Sequence, residues 1–214
     1  MDIMKSRHSV RQYMDKKIEE DKRKILLDLV DECNLASGLN IQIIFDEPKC
    51  FGSLMAHYGK FSGVENYIAL VGTKAPDLEE KAGYQGERIV LKAQELGLNT
   101  CWVALTHGKS AAKVDKGEKQ VCIIALGYGE TQGVSHKNKP LEEVCNCADD
   151  MPDWFGKGID AALAAPTAMN QQKFYFTLEG DSAEAKIKGK GFCTKTDLGI
   201  VKYHFETASG RRVV

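Results

Sequence analysis

The stretch Gln120-Val121-Cys122-Ile123-Ile124-Ala125-Leu126 constrains the fold more than any other part of the chain. Its apolar residues run consecutively, so a strand here is buried on both faces and belongs inside a sheet. It is also far short of the roughly 18 apolar residues that a membrane span requires. A sheet of this kind needs covering layers, and the remaining pattern supplies helices. In Glu19–Ser37, the residues Ile25, Leu26, Leu29, Val30 and Cys33 follow amphipathic helical spacing. Ile41–Phe45 and Glu65–Val71 read as strands, the first stopped by Asp46-Glu47-Pro48. Pro76-Asp77 opens a long helix with Asp77 as N-cap, an apolar face of Ile89, Val90, Ala93 and Leu96, and Gly97 at its end. After a charged, turn-rich stretch from Gly127 to Pro140, a helix is expected near Trp154–Ala165, a strand at Lys173–Leu178 and a helix near Lys195–Thr207. Helices and strands do not alternate regularly, which predicts an α+β layer fold rather than a Rossmann sheet.

Composition narrows the function classes. The 214 residues carry 29 Lys+Arg against 30 Asp+Glu, a net charge of −1. That balance argues against a nucleic-acid binder, which shows a strongly basic face. With 43% hydrophobic residues the chain is no disordered tail. The length allows one domain or two small ones. Seven cysteines, an odd number, and a start (MDIMKSRHSV) without an apolar h-region point to a cytoplasmic protein with reduced thiols. Cys145-Asn146-Cys147 is the only close cysteine pair, so no metal site is expected.

Two nucleotide fingerprints fail. Gly127-Tyr128-Gly129 is not completed to G-x-G-x-x-G, and Gly108-Lys109-Ser110 has Val103 where a P-loop needs its first glycine. The better anion candidate is Arg7-His8-Ser9-Val10-Arg11, in which two guanidiniums and a hydroxyl can clamp a phosphate; a solvated basic terminus is the alternative. Lys137-Asn138-Lys139-Pro140 is a basic turn, or a second phosphate contact if it folds back. Asn170 and Gln172 carry amides suited to the edge of a planar heterocycle, or to capping turn backbone. Trp102 taken alone reads as core. A weak echo relates Ala36–Gln42 to Pro166–Gln172, each lying between a helix and a strand, which suggests paired half-domains rather than a solenoid.

Four segments, in order, resemble the FMN-dependent nitroreductase family. Arg7–Tyr13 (RHSVRQY) resembles its R-x-S-x-R opening, and Gly83–Ala104 (GYQGERIVLKAQELGLNTCWVA) its long central helix and GLGTCW-type turn. Val121–Glu130 followed by Lys137–Val144 resembles the closing strand and basic turn, and Ala161–Phe176 (AALAAPTAMNQQKFYF) the A-P-S-x-x-N-x-Q-P-W segment. These cover about half the chain. In ordinary members the last segment follows the first helix and serves the partner subunit's flavin. Here that early place holds only Ala36-Ser37-Gly38-Leu39-Asn40-Ile41-Gln42, and the fuller copy comes late. The order resembles the branch in which two half-size units are fused into one chain, and Asp197–Glu206 (DLGIVKYHFE) resembles that branch's final helix.

The resemblance implies a nitroreductase-like α+β fold with a mostly antiparallel central sheet flanked by helices. It implies pseudo-twofold half-domains at residues 1–144 and 145–214, and one flavin site per chain. FMN is the implied cofactor and NADH or NADPH the reductant: hydride passes to flavin N5 and then to an electron-poor acceptor such as a nitroaromatic or quinone. Arg7, Ser9, Arg11, Lys139 and Lys137 are implied around the phosphate and ribityl chain, with His8 near the pyrimidine through its backbone. Trp102, Val103 and Ala104 would flank the ring, and Pro166, Thr167, Ala168, Asn170 and Gln172 would approach from the second half. Thr167-Ala168 and Lys173-Phe174 depart from the family's Ser-Ser and Pro-Trp. No side-chain acid, base or metal is called for, so no catalytic side chain is assigned. The implied partners are small molecules, not nucleic acid or membrane, with the chain a monomer or weak homodimer. The alternatives are a nitroreductase-fold protein whose eroded site serves flavin binding or assembly, and a specialised reduced-flavin enzyme.

Overall fold

The apolar run at 120–126 lies inside a strand with a neighbour on each side, as its two-faced burial requires. The computed structural model describes residues 2–147 and 151–214. Its elements are α1 (Asp2–Ser6), α2 (Glu20–Ser37), β1 (Gln42–Ile44), α3 (Leu54–Tyr58), β2 (Asn66–Thr73), α4 (Leu78–Glu95), β3 (Asn99–Val103), β4 (Glu118–Gly127), α5 (Asp153–Ala164), β5 (Phe174–Glu179), β6 (Ser182–Ile187) and α6 (Thr194–Ser209). No described helix is long and apolar enough to cross a membrane.

The chain forms two compact units. The sheet unit comprises Arg7–Leu78 and Arg88–Val134. It holds a four-stranded, fully antiparallel sheet in the order β1-β2-β4-β3. Alternate residues of the inner strands (Tyr67, Ala69 and Val71; Ile123 and Ala125; Cys101 and Val103) share one core with Phe51 and Phe61. On α2 the buried stripe is Leu26, Leu29, Val30 and Cys33. Ile25, expected on that face, is 42% exposed, because it stands one residue, about 100°, off the i, i+3, i+4, i+7 line. Asp77 occupies the cap position of α4 but makes no side-chain capping bond. The turn expected after Gly97 becomes β3, whose five residues pair in register with Ile123–Gly127.

The second unit comprises Met1–Ser6, Glu79–Glu87 and Ser135–Val214. Here α5 and α6 pack around an aromatic cluster in which Phe176 stacks on Phe205 at 4.6 Å and 16°. The β5–β6 hairpin supplies Phe174 and Phe176, both buried. α6 crosses the Glu79–Glu87 part of α4 at a pair of glycines. A Cβ on Gly83 would sit 2.0 Å from Thr196 O and 3.2 Å from Ile200 N; one on Gly199 would sit 2.0 Å from Glu80 O and 2.7 Å from Tyr84 N. Each glycine is thus met by the residues three before and one after the other. Backbone cannot retreat as a side chain does, so Gly83→Ala and Gly199→Ala should each cost about 1–3 kcal/mol. Chemical denaturation checks this, and the reciprocity requires the two losses to be similar.

Candidate functional site

In the sheet unit, Arg7–Arg11 runs extended beside β3. Ser9 pairs with Thr100 in a parallel bridge, and the Val10 N–H donates to Thr100 O at 3.1 Å. Extended backbone sends alternate residues to opposite sides. That is why R-x-S-x-R brings its three polar side chains together while Val10, 2% exposed, joins the core. Burial raises the Cys101 thiol, while the Arg11 charge, a hydrogen bond from Ser9 and the Arg7 charge oppose that rise. Arg7, Ser9 and Arg11 therefore all favour the charged form of this thiol, Ser9 through a hydrogen bond and the arginines through their charge. Arg7 is 2% exposed, whereas Ser9 and Arg11 stand in solvent, with the Arg11 guanidinium 5.9 Å above the Phe61 ring. Tyr13, buried by the same core, is raised well above its ordinary value by desolvation and by Cys101. His8 lies on the other side, where a Cβ on Gly133 would approach its own Cβ to 2.8 Å. Trp102 and Ala104 are half-buried at the end of β3 and Val103 is buried.

In the second unit, α5 ends at Ala164, and Ala165, preceding Pro166, turns extended (ψ 141). Two histidines meet its last carbonyls: His204 Nδ1 donates to Ala161 O at 2.9 Å and His136 Nε2 to Leu163 O at 2.8 Å. His136 thereby fixes the start of the basic turn. Lys137 O accepts from Asn170 Nδ2 at 2.8 Å and from Gln172 Nε2 at 2.7 Å, and the Lys139 N–H donates to Gln172 Oε1 at 2.9 Å. Gln172 Nε2 also reaches Asn170 Oδ1. The structure therefore gathers Lys137, Lys139, Thr167, Ala168, Asn170 and Gln172 around one turn, with Pro166 leading into it. It gives Gln172 a particular job: 1% exposed, its amide is spent on the 137–139 backbone. Asn170 stands exposed. The Lys139 ammonium lies 3.7 Å from Glu143 and 3.3 Å from Gln172 O.

Sequence reasoning missed Asp197. It is 5% exposed in the first turns of α6 and accepts from the Ala168 N–H at 2.9 Å and Gln171 Nε2 at 2.7 Å. Burial lifts its pKa to about 6, against the pull of those two bonds. The available signal was a carboxylate between Thr196 and Leu198 on an otherwise apolar helix face. Glu87 and His204, each fully buried and 2.9 Å apart, were missed for the same reason.

A family model described as "Putative TM nitroreductase" matches residues 1–209. Among solved structures, a "putative nitroreductase" from Thermotoga maritima is 23% identical with a TM-score of 0.68, over 97% of this chain and 82% of that one. A "putative nitroreductase in complex with FMN" from Desulfovibrio desulfuricans is 18% identical with a TM-score of 0.55, over 71% of this chain and 96% of that one. A "Putative NADH dehydrogenase/NAD(P)H nitroreductase" from Parabacteroides distasonis is 15% identical with a TM-score of 0.52, over 67% and 94%. At these identities the structures establish a shared fold. No curated protein matches the chain. With nearly its whole length matched by the family model, the chain belongs to the family described as "Putative TM nitroreductase".

Proposed function

We propose that this protein is an FMN-dependent oxidoreductase that takes reducing equivalents from NADH or NADPH and delivers them to a small electron-poor acceptor of nitroaromatic or quinone type. The observation that carries the reading is the extended Arg7–Arg11 segment bridged to β3 at Ser9–Thr100, whose alternation sets Arg7, Ser9 and Arg11 on one side of the backbone. That donor set fits a phosphate monoester: two guanidiniums offer forked, charge-assisted bonds and the hydroxyl adds a third donor. Two structural neighbours, one in complex with FMN and one described as an NAD(P)H nitroreductase, lend support. In this reading Arg7, Ser9 and Arg11 hold the phosphate, with His8 contributing backbone. Trp102, Val103 and Ala104 flank the ring system, and Lys137, Lys139 and Pro166–Gln172 form the second contributing segment. Bound FMN supplies the two-electron chemistry. The chain's own work is to bind, orient and limit access, and no side-chain acid or base is assigned.

The reading includes pseudo-twofold halves at 1–144 and 145–214. In support, helix–strand–strand–helix occurs twice, as α2-β1-β2-α4 (with α3 between its strands) and as α5-β5-β6-α6. The echoing segments 36–42 and 166–172 each link the first helix to the first strand. The reciprocal meeting of Gly83 and Gly199 is the contact pattern of an isologous interface. Since R-x-S-x-R occurs once, about one FMN per chain is expected on a monomer or weak homodimer. Reconstitution with excess FMN, desalting and absorbance spectroscopy test both points. A colourless protein sinks the flavin reading, and one flavin per two chains sinks the fused-half reading.

A second reading is a flavin-fold protein serving binding or assembly without turnover. The internal use of the Gln172 amide favours it. Oxidation of NADH or NADPH by the FMN-loaded protein in the presence of a quinone separates the two.

A further inference from the structure

Three residues within four positions of the second unit hold left-handed backbone without being glycine: Met169 (φ 52), Asn170 (φ 52) and Gln172 (φ 43). Such residues persist only where surrounding bonds over-determine them, and clusters of them mark functional segments. Most of the restraint here is local. Gln172 N–H donates to Thr167 Oγ1, Asn170 N–H to Thr167 O and Gln171 N–H to Ala168 O. The 137–139 turn holds the Gln172 end. The other end is held by Asp197, through the Ala168 N–H and the Gln171 amide, and by Phe192 O, which accepts from Gln171 Nε2 at 2.6 Å.

We infer that Asp197 is a positioning residue whose ionised carboxylate clamps the strained segment 168–172 at its Ala168 and Gln171 end, so that loss of its charge loosens the segment that carries Asn170 and Gln172. A carboxylate is acceptor-only, and both groups facing it are donors. Protonation places an O–H against a donor and breaks one of the two bonds. The segment itself contributes no titratable group. Cys193, just before α6, interacts with Asp197, and its thiol is pushed up to about 11 by burial, by Asp197 and by Glu79 of α4.

The thermodynamic sign separates this role from a purely structural one. A buried carboxylate whose folded pKa lies above its unfolded value binds more protons when folded. Its contribution to stability therefore falls as pH rises through about 6. Ionised Asp197 opposes folding at neutral pH, so its stability cost has to be offset by what it positions. The inference rests on the flavin reading only for the identity of the ligand.

The test is hydrogen exchange of the amides of 168–172, in wild type and in Asp197→Asn at pH 7.5 and pH 5, corrected for intrinsic rates. FMN affinity is measured alongside by flavin fluorescence. At pH 7.5 the variant should exchange this segment about 10-fold faster, the value of a hydrogen bond to a charged group, with β4 amides unchanged and the melting temperature not lowered. Wild type at pH 5 should behave like the variant, the variant should show no pH dependence, and FMN affinity should fall in parallel. Equal segment protection in both proteins at pH 7.5, or faster exchange spread over the whole chain, overturns the inference. If wild type takes up no FMN, the flavin reading fails, and the exchange measurement still decides the role of Asp197.

Discussion

Arg11→Glu is expected to weaken FMN binding by about 100-fold or more, from one lost charge-assisted contact and one new repulsion at the phosphate. The side chain suits the test because it is exposed and its aromatic contact is the 5.9 Å approach to Phe61, so folding should survive the change. Arg7 does not suit it: at 2% exposure, a Glu there would bury a charge and confound binding with stability. Arg11→Lys keeps the charge but loses the planar fork, and should cost about 10-fold. Flavin fluorescence titration reads both. Unchanged FMN affinity in Arg11→Glu would mean that the assignment of Arg7–Arg11 to the phosphate is wrong.

Elements dominated by local periodicity were legible in the sequence. β4, α2 and α4 have runs or stripes long enough for burial to impose one pattern, and each formed within a residue or two of its expected limits. What was missed depends on partners distant in the chain. β3 is five residues with no alternation of its own and exists because Ile123–Gly127 offers a ladder. β6, SAEAKI, has a weak apolar pattern and is held by antiparallel pairing with Phe174–Glu179 of β5. α3 places Leu54, Met55 and Tyr58 in solvent, so no amphipathic stripe announces it. The polar side chains divide the same way. Arg7, Ser9 and Arg11 were readable because period-two spacing is itself the geometry. Asn170 and Gln172 were readable as a pair and Lys137–Pro140 as a turn, but not the bonds by which that turn consumes Gln172, since they span more than thirty residues. Glu87 and His204 carried no spacing signal because they meet across a helix crossing, and Asp197 carried none because its partners, Ala168 and Gln171, lie in the segment before β5.

His204→Ala should be the most destabilising of the point substitutions considered, at about 3–5 kcal/mol by chemical denaturation. The carbonyl of Ala161 can only accept, so Nδ1 carries a proton, and Nε2 shares another with Glu87 Oε1 at 2.9 Å. Removing the imidazole strands a fully buried carboxyl, leaves Ala161 O without its donor and opens a cavity at the end of α5. Glu87→Ala is milder, because a neutral imidazole keeps its bond to Ala161 O and loses one acceptor contact. Glu87→Gln should be milder still, about 1 kcal/mol, since its amide N–H can donate to the unprotonated Nε2. The graded order His204→Ala, Glu87→Ala, Glu87→Gln is what a shared-proton pair that also caps α5 requires. Equal losses for both alanine variants would instead assign the cost to the pair alone and leave the cap without weight. The cap matters because α5 hands the chain directly to Pro166 and the strained segment. His204→Ala should therefore loosen 168–172 together with the whole unit, whereas Asp197→Asn should loosen that segment alone.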